Sequence, residues 1–122
     1  MAYILVVDGD AVSRTVVRTL LEDAGHEVGE AQDGRDGLAS MDRRVPDLVI
    51  AEVYMDRMEG IEFMRIVRQT WPSEPVLMMS SKARPGALAV FHVVDLLGAS
   101  GLLDKPIVGR QLLEAVAEIL VA

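Results

Sequence analysis

The chain has 122 residues, enough for one domain with a real core and too few for a second. Its 51% hydrophobic and 25% charged residues describe a globular protein, and a formal charge of −7 opposes binding to a nucleic-acid backbone, where lysine and arginine supply the affinity. Zero cysteines exclude disulfides, thiolate metal sites and cysteine nucleophiles, the two isolated histidines make no zinc site, and no apolar stretch nears the roughly 20 residues that span a bilayer.

The opening Met1-Ala2-Tyr3-Ile4-Leu5 runs straight into a strand with neither a basic stretch nor a cleavage site, so a soluble, cytoplasmic protein is expected. Residues 11 to 24 then place Val12, Val16, Leu20 and Ala24 on one side of a helix, with Val17 and Leu21 beside them, Asp10 as N-cap and Gly25 as terminator. Glu27-Val28-Gly29-Glu30-Ala31 alternates as a weak strand. A helix carrying Leu38 and Met41 starts at Asp33-Gly34 and stops before Pro46. The third strand begins at Leu48. From Gly60 to about Thr70 a helix buries Ile61, Met64 and Val67, with Phe63 adjacent, before Trp71-Pro72 breaks it. Pro75 opens a fourth strand, residues 86 to 97 form a fourth helix, Gly98 and Gly101 flank a turn into a short strand at Leu102-Leu103, and Leu112 to Leu120 line a last helix. Five βα units imply an α/β fold: a doubly wound, five-stranded parallel sheet with right-handed crossovers and helices on both faces.

Four of the apolar runs deliver a polar residue at their carboxyl ends. Asp8 follows Ile4-Leu5-Val6-Val7, Glu52 follows Leu48-Val49-Ile50-Ala51, Ser80 follows Val76-Leu77-Met78-Met79, and Lys105 follows Leu102-Leu103-Asp104. Runs of this kind are strands buried on both faces, and doubly wound sheets bind ligands beyond the carboxyl ends of their strands. The four residues therefore describe one site. A nucleotide or flavin site is disfavoured, because Asp8-Gly9-Asp10 offers carboxylates where a glycine-rich phosphate loop would stand.

The segments Ile4 to Asp8, Pro46 to Ile50, Met58-Glu59-Gly60, Pro75 to Ser80 and Lys105-Pro106, in that order, resemble the receiver domain of two-component response regulators over the whole chain, 1–122. The resemblance implies a flavodoxin-like, receiver-type fold that accepts a phosphoryl group on a strand-three aspartate. It also implies a Mg²⁺ held by acids near strand one, and a protein partner, either a histidine kinase or a downstream signalling protein. Lys105 and Ser80 match the lysine that pairs with developing charge and the hydroxyl that reports the phosphate. A cis Lys105-Pro106 bond is implied as well.

The acidic half departs from that pattern. Glu52 stands at the acceptor position, and Gly9 stands where a second strand-one acid is expected, leaving Asp8 and Glu52 as the remaining metal ligands, with Asp10 and Asp56 as candidate substitutes. Both changes weaken phosphorylation, since a misplacement of about 1 Å costs on the order of 10²-fold in a positioned reaction. Mg²⁺ binding is reduced rather than excluded, because the ion commonly manages with one or two carboxylates plus waters. Glu52 then reads either as a partner of Lys105 in an ion pair or as a stand-in for the phosphorylated state; Asp8 reads as a ligand or as an acid beside a helix start. Asp56-Arg57 replaces a proline-glycine pair, and Leu102 stands where a switching aromatic is usual.

The fourth helix is apolar nearly all round, which points to burial against a partner or a second copy. The expected contact surface spans this helix, the fifth strand and the last helix, with Phe91, Val94 and Leu102 as representatives. The expected function is an atypical receiver module acting through protein contacts rather than as an enzyme. The alternative is a phosphorylatable receiver using Glu52 or a neighbour such as Asp56 with Mg²⁺.

Overall fold

The structure is a computed structural model that describes residues 1–55, 59–80 and 86–121. Strands β1 (Tyr3–Val7), β2 (Glu27–Ala31), β3 (Leu48–Glu52), β4 (Val76–Ser80) and β5 (Gly101–Asp104) alternate with helices α1 (Ala11–Asp23), α2 (Gly34–Arg43), α3 (Gly60–Thr70), α4 (Ala87–Leu96) and α5 (Gly109–Val121). The strands form one parallel sheet in the order β2-β1-β3-β4-β5. This is the doubly wound, five-stranded parallel architecture that the alternating pattern predicts.

Side-chain alternation divides the core in two. Leu5, Val7, Val49, Ala51, Val76 and Met78 pack with Met41 of α2, Phe63, Met64 and Val67 of α3, and Val94 of α4. The intervening Ile4, Val6, Leu48, Ile50, Leu77 and Met79 pack with Val17 and Leu21 of α1 and with Leu112 and Val116 of α5. With both faces covered, the central strands are apolar up to the polar residues at their carboxyl ends, which is why they read as unbroken runs.

Asp10 caps α1 by accepting from the Val12 amide, as expected, and Asp33 caps α2 by accepting from Asp36. Gly98 adopts φ 83° after α4, where its amide and that of Ala99 reach back to Asp95 and Val94 carbonyls, a left-handed turn that glycine takes without steric cost.

Two expectations about helix faces are corrected. Val12 and Val16 of α1 are 73% and 45% exposed, and the helix instead docks through Val17 and Leu21, because the sheet meets a narrower stripe than the apolar residues span. Val94, expected on the partner surface, faces inward and is 1% exposed, filling the core beneath α4. Phe91 and Leu102 are half-buried, Leu102 against that same core, while Leu88, Val93 and Leu96 are the exposed apolar residues of α4. No described helix is long and apolar enough to cross a membrane.

Candidate functional site

The sheet register assembles the site. Val7 pairs with Ala51, so the next residues, Asp8 and Glu52, stand side by side beyond the two central strands. Glu52 pairs with Met79, and Ser80 pairs with Asp104, so Ser80 and Lys105 follow on the neighbouring strands. All four residues singled out from the sequence come to one edge of the sheet. Two backbone bonds hold that edge: the Val53 amide donates to Met79 (2.9 Å) and the Lys105 amide to the Ser80 carbonyl (3.0 Å).

The side chains converge on the lysine. Lys105 Nζ lies 2.5 Å from Glu52 Oε2 and 3.0 Å from Asp8 Oδ2, so one ammonium bridges two buried carboxylates. Asp8 Oδ1 accepts from the Asp10 amide at 2.9 Å, and Glu52 Oε1 accepts from the Tyr54 amide at 3.4 Å. The Lys105-Pro106 bond is cis.

Two acids sharing one cation leave an uncompensated negative charge. Burial raises the Glu52 carboxyl above its usual range, and Asp8 adds to this, against the opposing pull of Lys105. Burial would lower the Lys105 ammonium, yet its bonds to Glu52 and Asp8 outweigh that and raise it. The proton therefore stays on the lysine, and Glu52 is the group that takes up the next one on acidification.

Ser80 is fully buried, and its Oγ has no hydrogen-bond partner among the described residues. Gly60, the first residue of α3, packs on the strand end itself: a Cβ there would stand 2.2 Å from the Glu52 carbonyl oxygen and 2.7 Å from Val53 Cα. Glycine at this position lets α3 approach closely enough for its amide to donate to the Val53 carbonyl.

Among the described residues, no group of three or more acidic, histidine or cysteine side chains comes together to hold a metal. The Asp10 carboxylate is committed to capping α1, and Asp56 lies outside the described residues. The Lys105 ammonium bridges the two carboxylates that such an ion would use. Gly9 leaves room for an acid, since a Cβ there meets only the Gln32 carbonyl, at 3.5 Å.

Sequence reading missed Arg14. Its Nη1 donates to the Asp8 carbonyl at 2.7 Å and its Nε to Glu30 at 3.0 Å, while Arg18 Nη1 reaches the same Glu30 at 2.7 Å. The signal was the spacing of four between Arg14 and Arg18, which puts both on one face of α1.

Trp71 caps the end of α3 and packs against the core, as its place in the sequence implied, and His26 accepts from the Ala2 amide.

A parallel sheet carrying this constellation at its carboxyl edge is a receiver fold, and comparison with known proteins agrees. Residues 4–117 match the response regulator receiver domain family. The chain belongs to that family. It is 38% identical over 124 residues to a protein-glutamate methylesterase/protein-glutamine glutaminase of a Nocardioides species, covering 97% of this chain and 33% of that protein. A protein of the same name from Trichodesmium erythraeum is 33% identical over 105 residues, covering 84% of this chain and 30% of the relative. The chain thus spans about a third of these curated relatives, and the activity in their names belongs to the longer proteins. Among solved structures, the chemotaxis protein CheY4 of Vibrio cholerae superposes with a TM-score of 0.89 at 34% identity, covering 98% of this chain and 99% of that one. The receiver domain of NtrX from Brucella abortus gives 0.91 at 28%, covering 98% of each.

Proposed function

We propose that this chain is an atypical receiver module of two-component signalling that works through protein contacts, without an ordinary aspartyl phosphorylation cycle. The observation that carries this reading is the Lys105 ammonium bridging Glu52 at 2.5 Å and Asp8 at 3.0 Å. A receiver lysine has to meet an incoming phosphoryl group; here it is already neutralised, and the strand-three carboxylate is one methylene longer than an aspartate. Among the described residues Asp8 and Glu52 have no third acid beside them, and Mg²⁺ would have to displace the ammonium that bridges them.

The partner face spans α4, β5 and α5. Leu88 and Leu96 of α4 are 85% and 72% exposed, and Leu102, Leu103, Val108 and Gln111 line an open groove of about 610 Å³ beside Lys105. The partner is a kinase or an output protein, or a second copy of the chain. Sedimentation at high micromolar concentration tests the last of these: a monomer removes homodimerisation.

One observation favours a second reading, the phosphorylatable receiver. The buried Ser80 Oγ has no partner among the described residues, and a phosphoryl oxygen on Glu52 or a neighbouring carboxylate would supply one. Incubation with acetyl phosphate and Mg²⁺ followed by intact-mass spectrometry separates the two. An unchanged mass supports the contact-only module; a stable gain of one phosphoryl group on a carboxylate replaces it with the second reading.

A further inference from the structure

The opposite edge of the sheet holds a buried carboxylate that the site above does not use. Glu74 lies in the α3–β4 connection, is 7% exposed, and its Oε2 has no hydrogen-bond partner among the described residues. It lines an open cleft of about 550 Å³ at the amino ends of β4 and β5, together with Ser73 and Ser100, the apolar Pro75 and Ile119, and Glu118 from α5.

The cleft has fixed walls. Arg68 of α3 donates from Nε to the Leu97 carbonyl at 3.2 Å, from Nη1 to the Pro72 and Glu74 carbonyls at 2.9 Å each, and from Nη2 to the Gly98 carbonyl at 3.2 Å. A guanidinium has five N–H donors, so these bonds tie together the loops around the cleft and leave little for the Glu74 carboxylate.

We propose that this cleft binds a protonated aliphatic amine, with the Glu74 carboxylate as its counter-ion. The charges facing Glu74 are Asp47 from the segment before β3, Glu118 from α5 and the committed Arg68, so the cleft is net negative and repels anions. No cluster of three acidic, histidine or cysteine side chains stands among the described residues, as a metal centre would require. An ammonium needs less: one carboxylate, with hydroxyl oxygens for its other protons and apolar surface for its methylenes. Glu74, the two serines, and Pro75 with Ile119 supply these in turn. Burial, with Asp47 adding to it and Arg68 opposing it, pushes Glu74 up to about 7, the condition of an acid whose cation is missing.

The ammonium could belong to a free amine or to a lysine side chain. Backbone amide chemical shifts of the full chain, followed during titration with 1,5-diaminopentane and separately with Nα-acetyl-lysine amide at pH 8, distinguish these sources. The expected result is saturable shifts at Ser73, Glu74, Ser100 and Glu118 with one or both amines and none with 1,5-pentanediol. Affinity should fall at least tenfold in Glu74→Gln and at least threefold at pH 5.5 in the unaltered chain, so the pH comparison stands even if the variant folds poorly. Saturation by the diamine alone assigns a free amine, and saturation by the lysine derivative alone assigns a lysine side chain. Shifts elsewhere only, no saturation by either amine, or affinity unchanged at pH 5.5 would overturn the proposal.

Discussion

At the scale of single residues, electrostatics in a dry site decide what the chain tolerates. Lys105 is the counter-ion of both Asp8 and Glu52, so Lys105→Met keeps the packing but leaves two buried carboxylates without a cation. The loss should be about 3 kcal/mol at pH 7.5, measured by urea denaturation, and should shrink toward pH 5 as Glu52 protonates. Glu74 works in the other direction. An acid whose folded pKa lies above its unfolded value binds its proton more tightly when folded, so its contribution is most favourable below about pH 4.5 and is lost as pH rises to about 7. The difference is about 3 kcal/mol for a shift of this size. Glu74→Gln should therefore stabilise the chain at pH 8 and flatten its stability between pH 5 and 8, read from denaturation midpoints. Glu52→Asp shortens the acid by a methylene, and Gly9→Asp fits the space beside Gln32. The double variant should accept phosphate from acetyl phosphate with Mg²⁺ at least 10²-fold faster than the unaltered chain, by intact-mass time course.

At the scale of elements, composition alone misleads about which face of a helix is buried. The apolar residues of α1 span Val12 to Leu21, yet the sheet takes only Val17 and Leu21. In α4 there is almost no polar residue to mark an outer face, and the choice of Val94 as the inward residue is made by where the helix lands on β4 and β5. Two variants separate these faces. Val94→Ala should cost on the order of 2 kcal/mol through the cavity it leaves. Leu88→Glu should change stability by no more than about 0.5 kcal/mol, since that side chain stands in solvent, while weakening any self-association seen by sedimentation. Strand elements behave differently. Each central strand is buried on both faces, so its whole apolar run is informative, and the strands stood where the runs predicted.

At the scale of the whole molecule, the parallel register turns four residues far apart in sequence into one cluster. Asp8 and Lys105 are 97 positions apart in sequence, and Lys105 Nζ donates to Asp8 Oδ2 at 3.0 Å. The close seat of α3 on β3 belongs to the same scale: Gly60→Ala should push the helix off the Glu52 and Val53 backbone, lowering the melting temperature and disturbing the amide signals of Val53 and Tyr54. Order and spacing along the chain were enough to determine the fold class, the five βα units and that Asp8, Glu52, Ser80 and Lys105 come to one edge of the sheet, because buried parallel strands and their carboxyl-end residues leave a local, periodic signature. Only the tertiary structure decided that Lys105 bridges both acids, that Asp10 is spent as a cap, that Val94 faces inward and that Glu74 is buried with its Oε2 unbonded among the described residues. These facts depend on distances between segments and on how much water each group keeps, and neither quantity is written in any one stretch of chain.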